Sequence, residues 1–358
     1  MTHIDFAAAL QRAVRTLDFA ATPDGWQSGG PVGVHPSIDL AVAAFPPGRA
    51  PVWGNVLFSH QHPQGVVAEI AAEAGPVLNI AFDKDQRDRQ LDSPLWLPDA
   101  DWSQFEFTPL FSAGDAHAAR FVAPYPASLL KLMLAVGVAL AVEEGACDWP
   151  AALQAMMVTS DNSATDQMVA LLHRVGWLSP GPNNRLNARF AELGLPSLQL
   201  NNTQRQGGWR NADGAGVGQI HMTAWDTVRL LWLLDADAPP PPWLPPGSTL
   251  LQPAAREHLR AVLAAQQLDE VLSSGALRAV PGWVAGAPDA PRFAHKTGTT
   301  ISYASDAGIV AAAPDGSGHA IVAVITSLGL RFAPHAECAT TWRLPALGAA
   351  VQALVDAL

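Results

Sequence analysis

Basic residues are scarce in this sequence, and charged residues of either sign are few. Charged side chains make up 15% and hydrophobic ones 49% of the 358 residues, which indicates a compact globular protein and excludes a disordered one. The formal net charge is −11, and no basic patch interrupts the acidic balance. We therefore expect neither a nucleic acid nor an anionic membrane as a partner, because both repel an acidic surface.

Cysteine is nearly absent, and long apolar runs are missing. Cys147 and Cys338 are too few for a disulfide framework. A single bridge between them stays open, and two buried thiols are the favoured interpretation. The longest apolar run, 132–142, is too short to cross a bilayer, and residues 1–26 lack the pattern of a signal peptide. We expect a cytoplasmic protein, or a periplasmic one if a leader has been removed.

The pattern of the sequence changes twice along the chain. Strand-like runs precede residue 110, a mostly helical stretch spans about 128–265, and strand-like runs with a hairpin turn at 314–318 lead to a terminal helix at 346–358. This order predicts an α+β fold. The first and last helices would cover an antiparallel sheet, with an all-helical lobe beside it.

Lysine is the rarest of the common charged residues here, with Lys84, Lys131 and Lys296 as the only three among 21 basic residues. Arginine cannot release its proton, so a lysine is needed wherever a basic side chain must act as a base. Lys131 follows Ser128 by three positions in the apolar stretch YPASLLKLMLAV, which predicts that both lie on one face of a helix. Burial lowers the pKa of a lysine, and a neutral amine can activate a neighbouring serine as a nucleophile.

Two further short motifs follow the Ser-x-x-Lys pattern. Residues 160–162 (Ser-Asp-Asn) lie between two predicted helices, the second with Ser163 as its N-cap. Residues 296–298 (Lys-Thr-Gly) begin the C-terminal strands. Each motif alone has an ordinary structural explanation, as a chance match, a helix–helix loop or a bulged strand. Jointly they indicate a catalytic site, because two of the three lysines fall in two of the three motifs.

This ordered set resembles the motifs of the class A β-lactamases and the penicillin-binding DD-peptidases. Residues 120–131 (RFVAPYPASLLK) resemble that family's approach to its nucleophile helix, 280–283 (VPGW) its run before the Lys-Thr-Gly strand, and 306–316 (DAGIVAAAPDG) its hairpin. The resemblance covers most of the chain from about residue 75. It implies a hydrolase domain at 71–358, preceded by an N-terminal extension, 1–70, of unknown role.

The resemblance implies how the scissile bond of a substrate would be broken. Ser128 would attack a carbonyl group and form an acyl-enzyme, with Lys131 as the acceptor of its proton. Ser160 would pass a proton to the leaving group, and Asn162 would orient Lys131 and the substrate amide. This chemistry requires no metal and no other cofactor.

The resemblance also implies how a small-molecule substrate would be held. Lys296, with help from Thr297 and Thr299, would bind an anionic group such as a carboxylate. Gly298 would leave room for the substrate along the strand. The backbone N–H groups of Ser128 and Thr299 would form the oxyanion hole.

The sequence departs from class A enzymes at the residue that activates water. Those enzymes carry a glutamate in a loop between the second and third motifs. The corresponding stretch here, 198–223, contains one acid, Asp213, and the only glutamate between the second motif and Arg256 is Glu192. We therefore predict that serine acylation is retained and that turnover of β-lactams is slow.

Three functions remain open from the sequence. The favoured one is a serine hydrolase acting on a β-lactam, a D-amino-acid peptide or a carboxylic ester. The alternative is a penicillin-binding or sensor-type domain that is acylated with little turnover. A metal-dependent hydrolase using His60 and His62 has weak support, because no acidic third ligand lies nearby in the sequence. The oligomeric state is left open.

Overall fold

An antiparallel sheet organises the chain in the computed structural model, which describes residues 1–25, 29–84, 118–208, 220–268, 270–273, 293–334 and 338–358. The strands of the described residues are β1 (Ile38–Ala44), β2 (Val52–Phe58), β3 (Val66–Val67), β4 (Ile80–Lys84), β5 (Ala119–Ala123), β6 (Gln199–Leu200), β7 (Ile220–His221), β8 (Phe293–Thr299), β9 (Ala304–Val310) and β10 (Ala320–Thr326). Six of them form one sheet in the order β3-β2-β1-β10-β9-β8. β4 and β5 form a separate parallel pair, and β6 and β7 an antiparallel one.

Helices lie on both faces of the large sheet. Those of the described residues are α1 (His3–Thr16), α2 (Lys131–Glu143), α3 (Ala152–Val158), α4 (Asn162–Arg174), α5 (Arg185–Glu192), α6 (Ala224–Leu234), α7 (Pro253–Ala264) and α8 (Arg343–Asp356). Because side chains alternate along a strand, Leu40 and Val322 pack with Leu10 of α1 and Val351 of α8. The opposite face, which includes Ala41, packs with the helices that lie between α1 and α8 in the chain.

Helix α6 is fixed to the sheet at both of its ends by buried polar contacts. Asp39 of β1 accepts a hydrogen bond of 2.9 Å from the backbone N–H of Ala224, at the start of α6. At the other end, Asp235 Oδ2 and His319 Nε2 lie 2.7 Å apart. Burial raises the pKa of Asp39 to about 6, as expected for a carboxyl group removed from water. These contacts set the position of the helical lobe over the sheet.

The α+β fold predicted from the sequence is confirmed. Helices α2 to α7 fall within the predicted helical stretch, and β9 and β10 pair in register around the predicted turn at 314–318. The predicted extension 1–70 supplies α1 and three neighbouring strands of the six-stranded sheet. Segment 280–283 lies outside the described residues. No helix of the described chain is long and apolar enough to cross a membrane.

Candidate active site

Ser128 lies in a short 3₁₀-helix, 127–130, that continues directly into α2. The preceding residue, Ala127, has a φ of +50°, a conformation that L-residues adopt at a cost of about 1–3 kcal/mol. Ser305 of β9 holds this turn, because its hydroxyl donates to the carbonyl oxygen of Pro126 at 2.5 Å. Ser128 is half-buried, so its side chain is positioned by the turn and still reachable from solvent.

Lys131 begins α2, one helical turn after Ser128. Its side chain is 1% exposed, in a helix that is apolar all round and central to the helical lobe. The Lys131 Nζ donates to Ser160 O at 2.6 Å, to Asn162 Oδ1 at 2.9 Å and to Ser160 Oγ at 3.0 Å. Burial lowers the pKa of Lys131 to about 8, although the negative charges of Asp161 and Asp166 act to raise it. The lowering expected from its apolar surroundings is therefore confirmed.

The Ser-Asp-Asn segment lies between α3 and α4, but its helix cap differs from the prediction. Asp161, not Ser163, is the N-cap of α4, and its carboxylate accepts from the backbone N–H of Ala164 at 2.6 Å. The prediction failed because Asp161 caps equally well two positions earlier. This earlier start makes Asn162 the first helical residue and directs its side chain to Lys131. Ser160 has a φ of +58°, a second strained residue at the site.

Lys296 approaches the same serine from β8. Its Nζ donates to Ser160 Oγ at 3.1 Å and to the carbonyl oxygen of Thr297 at 2.8 Å. The side chain is 0% exposed, and burial together with the charge of Lys131 lowers the pKa of Lys296 to about 7. The hydroxyl of Ser160 thus contacts both lysines. The ammonium of Lys296 is directed at protein acceptors rather than at the solvent.

Gly298 brings β8 against the turn that carries Ser128. A Cβ atom at this position would lie 2.6 Å from the backbone nitrogen of Ser128, 2.6 Å from Ser305 Oγ and 2.7 Å from the backbone nitrogen of Leu129. Since real Cβ contacts are not this short, only glycine allows the strand to run this close. The strand end and the N–H of Ser128, both proposed from the sequence as parts of the substrate site, are therefore neighbours.

Replacing Gly298 with alanine is expected to slow acylation of Ser128 at least tenfold and to lower the free energy of unfolding by about 1–3 kcal/mol, because the added methyl must displace the Ser128 backbone. Acylation kinetics and thermal unfolding measure the two effects. Gly316→Ala is the matched control, since Gly316 has a φ of +83° in the β9–β10 turn. It should lose stability and keep its acylation rate. An unchanged acylation rate in Gly298→Ala would contradict the close approach of β8 to the turn that carries Ser128.

The two threonines of β8, Thr297 and Thr299, differ in how far they are exposed to solvent. Thr297 is 1% exposed and supplies its carbonyl oxygen to Lys296, whereas Thr299 is half-buried at the end of β8. Of the two hydroxyl groups proposed to bind substrate, that of Thr299 is the more accessible.

Two groups of residues beside β8 were not predicted from the sequence. His295 Nδ1 and Asp306 Oδ1 lie 2.8 Å apart in the interior. The carboxyl pKa of Glu270 is raised, first by burial and then by the charge of Asp306, while the charge of Lys296 and the Thr299 side chain act in the opposite direction. No motif pointed to Glu270, because it meets the strand through tertiary packing.

The acids considered from the sequence lie elsewhere. Glu192 is at the end of α5, where its carboxylate lies 3.3 Å from Arg189. Asp213 lies outside the described residues. Within the described part of the loop after Leu200, residues 201–208, there is no acid. His62 Nε2 lies 3.3 Å from the carbonyl oxygen of Arg120, and the described residues contain no cluster of three or more side chains suited to a metal ion.

Comparison with known proteins identifies one family. A family model described as the β-lactamase enzyme family matches residues 148–340, more than half of the chain. The matched stretch contains the second and third motifs and begins after Ser128 and Lys131. None of the curated proteins compared matches the chain.

Solved structures resemble the chain over different lengths. A structure of PBP-A has 16% identity and a TM-score of 0.49, covering 97% of this chain and 94% of its own. A β-lactamase from Streptomyces albus G has 15% identity and a TM-score of 0.47, covering 98% and 99%. A class A β-lactamase from Bacteroides cellulosilyticus DSM 14838 has 15% identity and a TM-score of 0.44, covering 66% and 86%.

Proposed function

The chain belongs to the β-lactamase enzyme family, and on that premise we propose that it is a serine hydrolase that forms an acyl-enzyme on Ser128. Its substrates are small amides or esters, with β-lactams, D-amino-acid peptides and carboxylic esters as the classes to be compared. One observation carries the proposal. Lys131, one helical turn from Ser128, and Lys296 both contact the hydroxyl of Ser160.

Acylation begins when Ser128 Oγ attacks the substrate carbonyl and a bond forms between that oxygen and the carbonyl carbon. The neutral amine of Lys131 takes the hydroxyl proton. The N–H groups of Ser128 and Thr299 stabilise the oxyanion that forms. The proton then passes through Ser160 Oγ to the leaving nitrogen or oxygen as its bond to the carbonyl carbon breaks. The result is an ester on Ser128, which water hydrolyses.

The lowered pKa of Lys131 supports this assignment of the base. With a pKa of about 8, a substantial fraction of Lys131 is neutral near physiological pH, which an ordinary lysine would not be. The strained backbone at Ala127 and Ser160 supports it further, because such strain clusters at functional sites.

The test is to find which residue becomes acylated. After exposure to a penicillin or an activated aryl ester, intact-protein mass should increase by one acyl group, and peptide mapping should place the adduct on Ser128. Ser128→Ala should not be labelled, while Ser163→Ala, a matched change next to the second motif, should be labelled normally. An adduct on Ser160 with none on Ser128 would reverse the proposed roles.

A second candidate function is a penicillin-binding or sensor-type domain that acylates and stays acylated. The observation that favours it is the lack of an acid in residues 201–208. A stable adduct with every substrate class tested would identify it, whereas release of product with repeated turnover on any class would identify a hydrolase.

A further inference from the structure

Backbone pairing between β8 and β9 determines which way the peptide groups at the end of β8 point. The N–H of Thr300 donates to the carbonyl oxygen of Tyr303 at 2.9 Å, and Gly298 lies opposite Ser305. In an antiparallel pair, residues whose backbone groups bond to the partner strand alternate with residues whose groups point away from it. The N–H of Thr299 is therefore directed away from β9. Since β8 is the last strand of the six-stranded sheet in the described part of the chain, this N–H faces the open edge of the sheet.

The hydroxyl of Ser305 joins the end of β8 to the turn that carries Ser128. Ser305 is fully buried. Its Oγ donates to the carbonyl oxygen of Pro126 at 2.5 Å and lies 3.4 Å from the carbonyl oxygen of Gly298. The Pro126 oxygen also accepts from the N–H of Leu129 at 3.1 Å. The bond from Leu129 closes the turn, whereas the bond from Ser305 sets the position of the turn against the sheet.

The turn requires such an external anchor because its backbone is strained. Ala127, between Pro126 and Ser128, has a φ of +50°, a conformation that the surrounding structure must impose on an L-residue. On one side β8 lies so close that a Cβ atom on Gly298 would be 2.6 Å from the backbone nitrogen of Ser128. Close packing at Gly298 therefore stops the turn from moving towards β8, and the bond to Ser305 stops it from moving away.

We propose that Ser305 is a positioning residue of the oxyanion hole, whose hydroxyl holds the N–H of Ser128 beside that of Thr299 so that both donate to the same substrate oxygen. This inference rests on the proposed acylation of Ser128. Because Ser305 is buried, it acts through the turn and not on the reacting atoms. Donors that stabilise an oxyanion must be fixed in place before the charge develops, and a misplacement of about 1 Å costs about 10²-fold in rate.

The experiment compares para-nitrophenyl acetate with its thiono analogue, in which sulfur replaces the carbonyl oxygen. In both compounds Ser128 Oγ takes the acyl group and para-nitrophenolate leaves, but sulfur is a weak hydrogen-bond acceptor and gains little from an oxyanion hole. The second-order rate of Ser128 acylation is measured by intact-protein mass for wild type and Ser305→Ala. We expect Ser305→Ala to slow the ester about 10–100-fold and the thionoester by less than about threefold.

Ser59→Ala is the matched control, because it removes another buried serine hydroxyl from the same sheet. Ser59 is fully buried just after β2, three strands away from β9, and its hydroxyl accepts from the backbone N–H of His62 at 3.2 Å. Both variants should lower Tm by about 1–4 °C, as expected for the loss of one buried hydrogen bond. Ser59→Ala should slow neither compound.

The selectivity for the ester separates positioning of the oxyanion hole from a general structural effect. Equal slowing of both compounds in Ser305→Ala would overturn the inference, because it would mean that the hydroxyl acts on the nucleophile or on the whole fold. An unchanged ester rate in Ser305→Ala, or selective slowing of the ester in Ser59→Ala, would also overturn it. These results would leave the proposed function intact, whereas no acylation of wild type by either compound would count against the proposed function itself.

Discussion

Replacing Lys131 with arginine is expected to slow the acylation of Ser128 by about 10²–10⁴-fold, the usual contribution of a positioned general base. Arginine keeps the positive charge and its hydrogen-bond donors, but it cannot give up a proton to become a base. Lys131→Arg should therefore be nearly as slow as Lys131→Ala. The measurement is the second-order rate of acylation by an activated ester, followed by intact-protein mass.

The pH dependence of the same rate follows from the two lysines as a coupled pair. Burial lowers the pKa of Lys131 to about 8 and that of Lys296 to about 7. Between these values the pair holds one proton. The reactive form is the one in which that proton lies on Lys296 and Lys131 is neutral, and the Ser160 hydroxyl contacts both amines.

We therefore expect a bell-shaped profile of kcat/KM with its maximum between about pH 7 and 8. The acidic limb falls because both lysines become protonated and no base remains. The alkaline limb falls because the pair loses its last positive charge. Lys296→Arg should stay within about tenfold of wild type at the optimum and should lose the alkaline limb, since arginine remains charged.

Both variants place a larger side chain in the interior, so thermal unfolding must show that each is folded, with Lys131→Met as the smaller neutral comparison. If Lys131→Arg acylates at close to the wild-type rate and folded Lys296→Arg is inactive, the base and the charged partner have been assigned the wrong way round.

Much of the site could be predicted because its information is local. The three-residue spacing of Ser128 and Lys131 places them one turn apart in any helix, and the apolar residues around Lys131 predict both its burial and its lowered pKa. The hairpin at 314–318 is equally local, since turn residues separate two β-rich runs. The N-cap of α4 was assigned to Ser163 instead of Asp161, two positions earlier, because both residue types can cap a helix.

The remaining features depend on contacts between distant parts of the chain. β1 pairs with β10, so Ala41 lies opposite Ala323, and no pattern within 1–70 states which strand its residues will join. Likewise, Leu272 contacts Asp306 of β9 and lies against Gly348 of α8. Such contacts between distant segments leave no motif in the sequence.

The second large effect is expected in deacylation. With β-lactams we predict a burst of one equivalent of product, followed by a steady state slower by about 10²–10⁴-fold than that of an enzyme with a dedicated water-activating acid. Small esters and amides, which shield the acyl bond less, should turn over readily. The measurement is stopped-flow kinetics on a chromogenic β-lactam, with the adduct on Ser128 followed by mass during the slow phase.

The reason for the slow phase lies in the acids near Lys131. Asp161 and Asp166 both act on its charge, but the carboxylate of Asp161 caps α4. Asp166 lies against Gly208, where a Cβ atom would be 3.4 Å from its Oδ1. Neither carboxylate lies in the loop after Leu200, where class A β-lactamases carry the glutamate that activates water. Lys131 must therefore release the proton it took during acylation before it can activate water.

Three variants decide whether another acid performs this step. Asp213→Asn and Asp166→Asn should show the same burst and the same slow phase as wild type, and Asp148→Asn, an exposed acid, is the matched control. Fast linear turnover in wild type, without a burst, would contradict the prediction. If that fast turnover were then lost in Asp213→Asn or in Asp166→Asn, the carboxylate removed in that variant would be the acid that activates water. The protein would in that case hydrolyse β-lactams with an acid in a new position, because a general base need only lie within hydrogen-bonding reach of the water, whatever segment carries it.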